Sequence, residues 1–129
     1  MSEEQGTEPR RPRIAVVGVC GAGKTTLLRR LEALGYDVRE PAQEHSGVRD
    51  LWRRLTKADI LIYLGARLET VRARGRPDWP DWLHAKQMER VAYSRQHADI
   101  CVETDDLTPE EVFERVRTAL VALVGEPGT

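Results

Sequence analysis

Asparagine is missing from all 129 residues, phenylalanine occurs once, and cysteine occurs twice. Without asparagine the chain has no Asn-Lys-x-Asp, the motif with which GTPases select guanine, and it carries no Asp-x-x-Gly switch. The Leu-Ser-Gly-Gly-Gln type of signature that ABC ATPases need is absent as well. Cys20 and Cys101 do not have a metal-ligand spacing. No apolar run is long enough to span a bilayer and no secretory signal pattern opens the chain, so a reduced, cytoplasmic protein away from the membrane is expected. Charge of one sign is lacking too. The 20 Lys and Arg stand against 21 Asp and Glu, so global charge argues neither for a nucleic-acid binder nor for a sponge of acidic ligands. Arginine greatly outnumbers lysine, a bias that GC-rich coding produces, and a single arginine therefore says little by itself. A chain of this length allows one domain with one core.

What is present is a glycine-rich stretch, Gly18-Val19-Cys20-Gly21-Ala22-Gly23-Lys24-Thr25, followed by Thr26. It fits G-x-x-x-x-G-K-[ST], a loop that wraps nucleotide phosphates. Glycines permit backbone angles that side chains forbid, so several N–H groups can point into one hollow. In that pattern Lys24 places a charge at the β- and γ-phosphates and the Thr25 hydroxyl holds Mg²⁺. Context agrees. Arg13-Ile14-Ala15-Val16-Val17 reads as a buried parallel strand ahead of the loop. Behind it, Leu27, Leu28, Leu31 and Leu34 recur at helical spacing up to a stop at Gly35. Strand, glycine loop and helix aim a helix N-terminus at an anion.

The rest of the chain alternates. Residues 1–12 read as a disordered tail, whose basic cluster Arg10-Arg11-Pro12-Arg13 is thin support for nucleic-acid binding. Residues 13–125 form the domain, and 126–129 a C-terminal tail. A short strand over 36–40 stops at Pro41; a second helix with Val48, Leu51, Trp52 and Leu55 on one face runs to about residue 57. The most apolar strand covers 59–64, and Gly65 turns the chain into a short basic helix over 68–74. An irregular segment follows over 75–80, then a polar helix over 81–97 with a weak apolar face of Ala85, Met88, Val91 and Ala92. Residues 99–103 give the last strand. Thr108-Pro109-Glu110-Glu111 is a capping box that opens a helix with Val112, Val116, Leu120 and Leu123 inward and a stop at Gly125. These alternations predict an α/β domain of three layers with a short parallel sheet of about four strands, and the Gly18–Thr25 motif makes it P-loop NTPase-like. Right-handed crossovers gather residues 18–25, Glu40, Gly65 and 103–105 on the carboxyl edge, where ligands bind in such sheets.

In these residues the chain resembles the P-loop kinases of the nucleoside and nucleotide kinase-like superfamily, over most of 13–124. Glu40-Pro41 is similar to the Glu-Pro of deoxynucleoside kinases, where the glutamate is the catalytic base. Arg74-Gly75-Arg76 falls on the R-x-R of an arginine-bearing lid that clamps the nucleotide phosphates. The stretch from Ala98 to Thr104 resembles the last strand, whose following loop, Thr104 and Asp105 here, borders the adenine. The resemblance implies ATP and Mg²⁺, with transfer of a phosphoryl group to the hydroxyl of a small-molecule acceptor. About twenty residues separate Glu40 from the strand before the lid, so the acceptor-enclosing region is abbreviated, and no acid follows Leu64 where a Walker B acid is expected.

Several assignments stay open at this level. Glu40 and Glu44 each suit a Mg²⁺-bound water or an acceptor proton, and Glu103 competes for the metal; each is also an ordinary loop or strand-end acid. Arg67, Arg72 and Arg90 surround the lid, and a solvated basic helix accounts for the first two. Trp52, Trp79 and Trp82 can stack a base or pack a core. His45 is a candidate substrate contact or an exposed loop residue, and the Cys20 thiol beside a helix N-terminus has the setting that lowers a thiol pKa. Two functions emerge from the residues. One is an ATP-dependent phosphotransferase using Lys24, Glu40, Arg74 and Arg76, with Thr25 and Glu40 at the metal. The other is a nucleotide-binding or slowly hydrolysing module that acts through a protein partner or a homodimer.

Overall fold

The computed structural model describes residues 12–19, 21–40 and 58–126. The helix predicted over 48–57 and nearly all of both predicted tails lie outside the described residues. β1 (Arg13–Gly18) runs through the glycine-rich loop into α1 (Lys24–Leu34), and β2 (Asp37–Arg39) comes directly after it. The other described elements are β3 (Ile60–Gly65), α2 (Leu68–Ala73), α3 (Asp81–His97), β4 (Ile100–Glu103) and α4 (Pro109–Val124). The four strands make one sheet in the order β2-β1-β3-β4, parallel throughout. The fold is α/β.

Burial separates central from edge strands. Residues 14–17 of β1 and 61–64 of β3 are fully buried in unbroken runs, which requires cover on both faces of the sheet. β4 alternates instead: Ile100 and Val102 are buried, Cys101 and Glu103 exposed. Pairing of Tyr63 with Cys101 and Gly65 with Glu103 puts these residues on one face. That face is covered by α3: the Tyr63 hydroxyl donates to Met88 Sδ at 3.9 Å, and Arg95 meets Glu103 at 3.3 Å. Burial, with the Glu103 carboxylate adding to it, pushes the Tyr63 phenol up to about 12. On the other face α1 and α4 pack together, joined by the Arg30–Glu110 ion pair and by Arg30 over the Phe113 ring.

Local chemistry sets the helix ends. Gly35, at φ 106°, closes α1 and donates its N–H to the carbonyls of Glu32 and Leu31. At α4 the capping box forms as its sequence predicts: Glu111 N–H donates to Thr108 Oγ1 at 3.1 Å, and Thr108 N–H donates to Glu111 Oε1 at 2.8 Å.

Two predicted faces need correction. In α3 the buried residues are Gln87, Val91 and Ser94, whereas Ala85 and Ala92 are exposed. Val91 and Met88 do pack against the core as expected, and Gln87 and Ser94 both have interaction partners, which offsets the cost of burying them; polarity therefore hid part of the packed face. In α4, Val112, Val116 and Leu120 are buried but Leu123 is 53% exposed. Helical period assigns a residue to a stripe and does not say how far along the helix that stripe is covered. Among the described residues no helix is long and apolar enough to cross a membrane.

The capping box gives a direct test of α4. Thr108→Ala should destabilise the fold by about 1 kcal/mol and Thr108→Ser by much less, because serine keeps the accepting oxygen. Urea unfolding of the two variants against the parent measures the difference.

Candidate functional site

All four strands point their carboxyl ends at one edge, and the glycine-rich loop starts there. A Cβ on Gly18 would stand 2.1 Å from the Leu64 carbonyl oxygen, so glycine alone lets β1 leave the sheet this close to β3. Gly21 at φ 80° and Gly23 at φ 98° then take left-handed backbone. Ala22 N–H closes the turn between them onto the Val19 carbonyl at 3.2 Å. Gly23 is also the N-cap of α1. It provides no side-chain cap, and the first turn of α1 contains no acidic residue. The leading amides of that helix have no intrahelical acceptor, so its positive end faces the loop without neutralisation from its own side chains.

Two predicted site residues meet at this point. Lys24 Nζ donates to the Gly18 carbonyl at 2.6 Å and lies 3.6 Å from Glu40 Oε2. The lysine side chain is only 10% exposed and the glutamate 37%, so Glu40 is the side of the pair that solvent or a ligand can reach. β2 carries Glu40 here because it pairs with β1 in register, Ala15 opposite Arg39. Thr25 and Thr26 are exposed in the first turn of α1. Among the described residues no three His, Cys, Asp or Glu side chains form a group able to hold a metal ion by themselves. A Thr25 hydroxyl and a Glu40 carboxylate suit Mg²⁺, which is usually held by one or two protein groups together with substrate phosphates. Cys20, Glu44, His45 and Trp52 lie outside the described residues.

Arg74 takes a position that its pattern alone did not reveal. Its Nη1 donates to the Gly21 carbonyl at 2.8 Å and to Thr104 Oγ1 at 2.9 Å, and its Nη2 donates to the Thr104 carbonyl. Thr104 is itself buried, with its N–H and hydroxyl both on the Gly65 carbonyl at 2.8 and 3.0 Å. Next to this cluster is a cavity of about 120 Å³, with Gly23, Thr26 and Leu27 on one side and Arg74 and Thr104 on another. Leu107, Pro109 and Val112 line the remainder, so the cavity is mainly apolar with a guanidinium at one wall. The sequence reading missed these last three as wall residues, although the capping box marks where α4 begins and hence which side chains abut the loop after β4.

The remaining candidates divide between structural and open surroundings. Asp105 does not line the cavity. Its Oδ1 accepts from Arg67 N–H at 2.7 Å and from Thr70 Oγ1 at 2.6 Å, capping α2 from another part of the chain. Burial raises the Asp105 carboxyl, but these hydrogen bonds and the Arg67 guanidinium outweigh it and hold the group below its ordinary value. Arg76 is exposed, with its guanidinium 5.2 Å from the centre of the Trp79 ring, while Arg72 donates to the Trp79 carbonyl and to Asp81. Trp82 is 67% exposed. Glu103 is engaged by Arg95 and lies against Gly65, where an added Cβ would come within 2.3 Å of its Oε1. A larger residue at position 65 would oblige the half-exposed Glu103 side chain to shift.

No protein-family model matches the chain, and no curated protein matches it.

The Asp105 cap has a pH signature. A carboxyl depressed in the folded state stabilises the protein above its unfolded value, about 3.9, and that contribution fades as pH falls through the lower folded value. Asp105→Asn should therefore lower the melting temperature at pH 7, and the gap to the parent should shrink below that range. Melting curves across pH 2 to 7 measure it, pH 2 being roughly the low end reached by strongly hydrogen-bonded carboxyls.

Proposed function

We propose that this protein binds a nucleoside triphosphate, ATP in the leading case, through residues 18–26 and transfers its γ-phosphoryl group to the hydroxyl of a small molecule. The observation that carries this reading is the approach of Lys24 Nζ to Glu40 Oε2, 3.6 Å, at an uncapped helix N-terminus behind two left-handed glycines. A cation for phosphate oxygens and a reachable carboxylate at the same spot are the two groups that phosphoryl transfer asks of a protein. The apolar cavity beside the loop suits a planar base, with Thr104 at its border.

The chemistry is built from those residues. The loop amides and the end of α1 take the phosphate oxygens, and Lys24 exchanges the Gly18 carbonyl for them. Thr25 and Glu40 would hold Mg²⁺, which would offset the charge of the phosphate oxygens. Glu40 accepts the proton of the acceptor hydroxyl as that oxygen bonds to the γ-phosphorus and the bond to the bridging oxygen breaks, releasing the nucleoside diphosphate.

One observation favours the second reading, a nucleotide-binding or slowly hydrolysing module that works through a partner or a second copy. Arg74 is committed to Gly21 and Thr104, and Arg76 rests on Trp79. To neutralise a transferring phosphoryl group Arg74 would have to exchange those acceptors for phosphate oxygens, an exchange that a binding module does not need.

Two measurements separate the readings. By isothermal titration Lys24→Ala should bind Mg-ATP far more weakly than the parent, while Arg115→Ala on the exposed side of α4 should bind normally; equal affinity for Lys24→Ala sinks the phosphate-binding assignment. Glu40→Gln leaves an oxygen for the metal and removes the base, so ATP affinity should change little while phosphotransfer to candidate acceptors falls by roughly 10²- to 10⁴-fold, the usual weight of general-base catalysis. If slow hydrolysis persists unchanged in that variant, the binding-module reading replaces the transferase.

A further inference from the structure

Among the described residues Arg74 makes three hydrogen bonds that join the glycine-rich loop to the loop after β4. The Gly21 carbonyl and the Thr104 carbonyl and hydroxyl, which accept them, come from segments 53 and 30 residues away. On the loop side the bond falls on one peptide unit. The Gly21 carbonyl is held by Arg74 while the N–H at the other end of that unit, on Ala22, is held by the Val19 carbonyl at 3.2 Å. Hydrogen bonds at both ends restrain this peptide plane, which lies between Gly21 and Ala22, just ahead of Gly23, the N-cap of α1. A second contact from the same helix reinforces it: a Cβ on Gly21 would meet Val71 at 3.3 Å, so α2 presses its buried valine against the loop at the residue that Arg74 holds.

α2 is itself anchored to the other side of the site. It has only six residues, too few to be stable alone. Its first turn is capped by Asp105 through Arg67 N–H and Thr70 Oγ1, and its last residue is followed by Arg74 on Thr104. Thr104 in turn is fastened to the end of β3 through the Gly65 carbonyl. The loop after β4 thus holds α2 at both ends, and α2 holds Gly21.

From this we infer that Arg74 is a positioning residue: it sets the conformation of the glycine-rich loop through the Gly21 carbonyl and ties it to Thr104, its hydrogen bonds going to these acceptors and not to the phosphates or to a base in the cavity it lines. The inference rests on the phosphate-binding reading of the loop and adds to it how the loop is held in shape. Its consequence is particular. Loss of the guanidinium should weaken every ligand that uses the loop, whether or not that ligand carries a base.

Inorganic tripolyphosphate and ATP serve as the two probes in isothermal titrations of the full chain. Arg74→Ala should bind both more weakly by the same factor, roughly 10- to 100-fold, the weight of hydrogen bonds from a charged donor. Added guanidinium ion should restore both affinities in Arg74→Ala, and methylammonium should not, because only the planar fork spans two carbonyls. Thr104→Val, which removes one of the three acceptors at nearly constant volume, should lose less in the same direction. It also keeps the test decisive should Arg74→Ala fail to fold. Normal tripolyphosphate affinity in Arg74→Ala with weakened ATP would place Arg74 on the base and overturn the inference. So would normal affinity for both probes, or a loss in a normally melting Arg74→Ala that guanidinium does not restore. If Arg74→Ala does not fold, parental affinities in Thr104→Val overturn it. Should Lys24→Ala lose tripolyphosphate while Arg74→Ala keeps it, the phosphate-binding reading stands and this inference alone falls. A parent protein that binds neither probe defeats both.

Discussion

The parallel pairing of β1 with β3, from Ile14 opposite Ile60 to Gly18 opposite Leu64, is the constraint on which the candidate site depends. Both strands are buried on two faces, so their register is held by a core that a one-residue slip would disrupt. At the end of that ladder Gly18 lies so close to the Leu64 carbonyl that no side chain fits. The chain therefore leaves the sheet beside β3, and α2, the next described element after β3, becomes the loop's immediate neighbour through Val71 and the adjoining Arg74. On its other side β1 pairs with β2, which brings Glu40 to Lys24.

Several arginines close local gaps of this kind. Arg67 pairs with Asp105, Arg72 with Asp81, Arg95 with Glu103 and Arg30 with Glu110, each joining two elements or an element to its adjoining loop. Half-exposed pairs like these contribute little stability one at a time. Their effect is mainly geometric: a planar guanidinium can hold two acceptors in a fixed relation, which an ammonium on a flexible stem does less well. Arg74 is the case where such a contact bears on the candidate site. A near-zero net charge and an arginine-rich chain are thus compatible, since many of the arginines answer acids within the fold.

The carboxyl edge consequently behaves as a connected unit more than as a set of separate motifs. Thr104 and Asp105 hold α2, α2 holds Gly21, and Gly21 precedes the helix whose N-terminus faces the loop. A short helix without much cohesion of its own gains a defined place from contacts at both ends. The cavity between the loop and the start of α4 shares three of its walls with this unit, at Gly21, Arg74 and Thr104.

The sequence by itself determined whatever is written in neighbouring residues. The unbroken apolar runs of β1 and β3, the Gly35 stop, the capping box at Thr108 and the glycine loop all depend on residues a few positions apart, and each appears where its pattern predicts. It placed Val91 and Met88 on the packed face of α3 but not Gln87 and Ser94, which are polar and whose burial rests on partners that no periodicity records. Nor did it show how far α4 is covered, which leaves Leu123 exposed. Asp105 caps a helix 38 residues earlier in the chain and Arg74 grips a carbonyl 53 residues away, contacts that neither residue's motif signals. Those relations exist only once the sheet has closed, because a side chain's hydrogen-bond partner is set by which backbone carbonyl the fold brings within about 3 Å of it, and sequence spacing carries no trace of that distance.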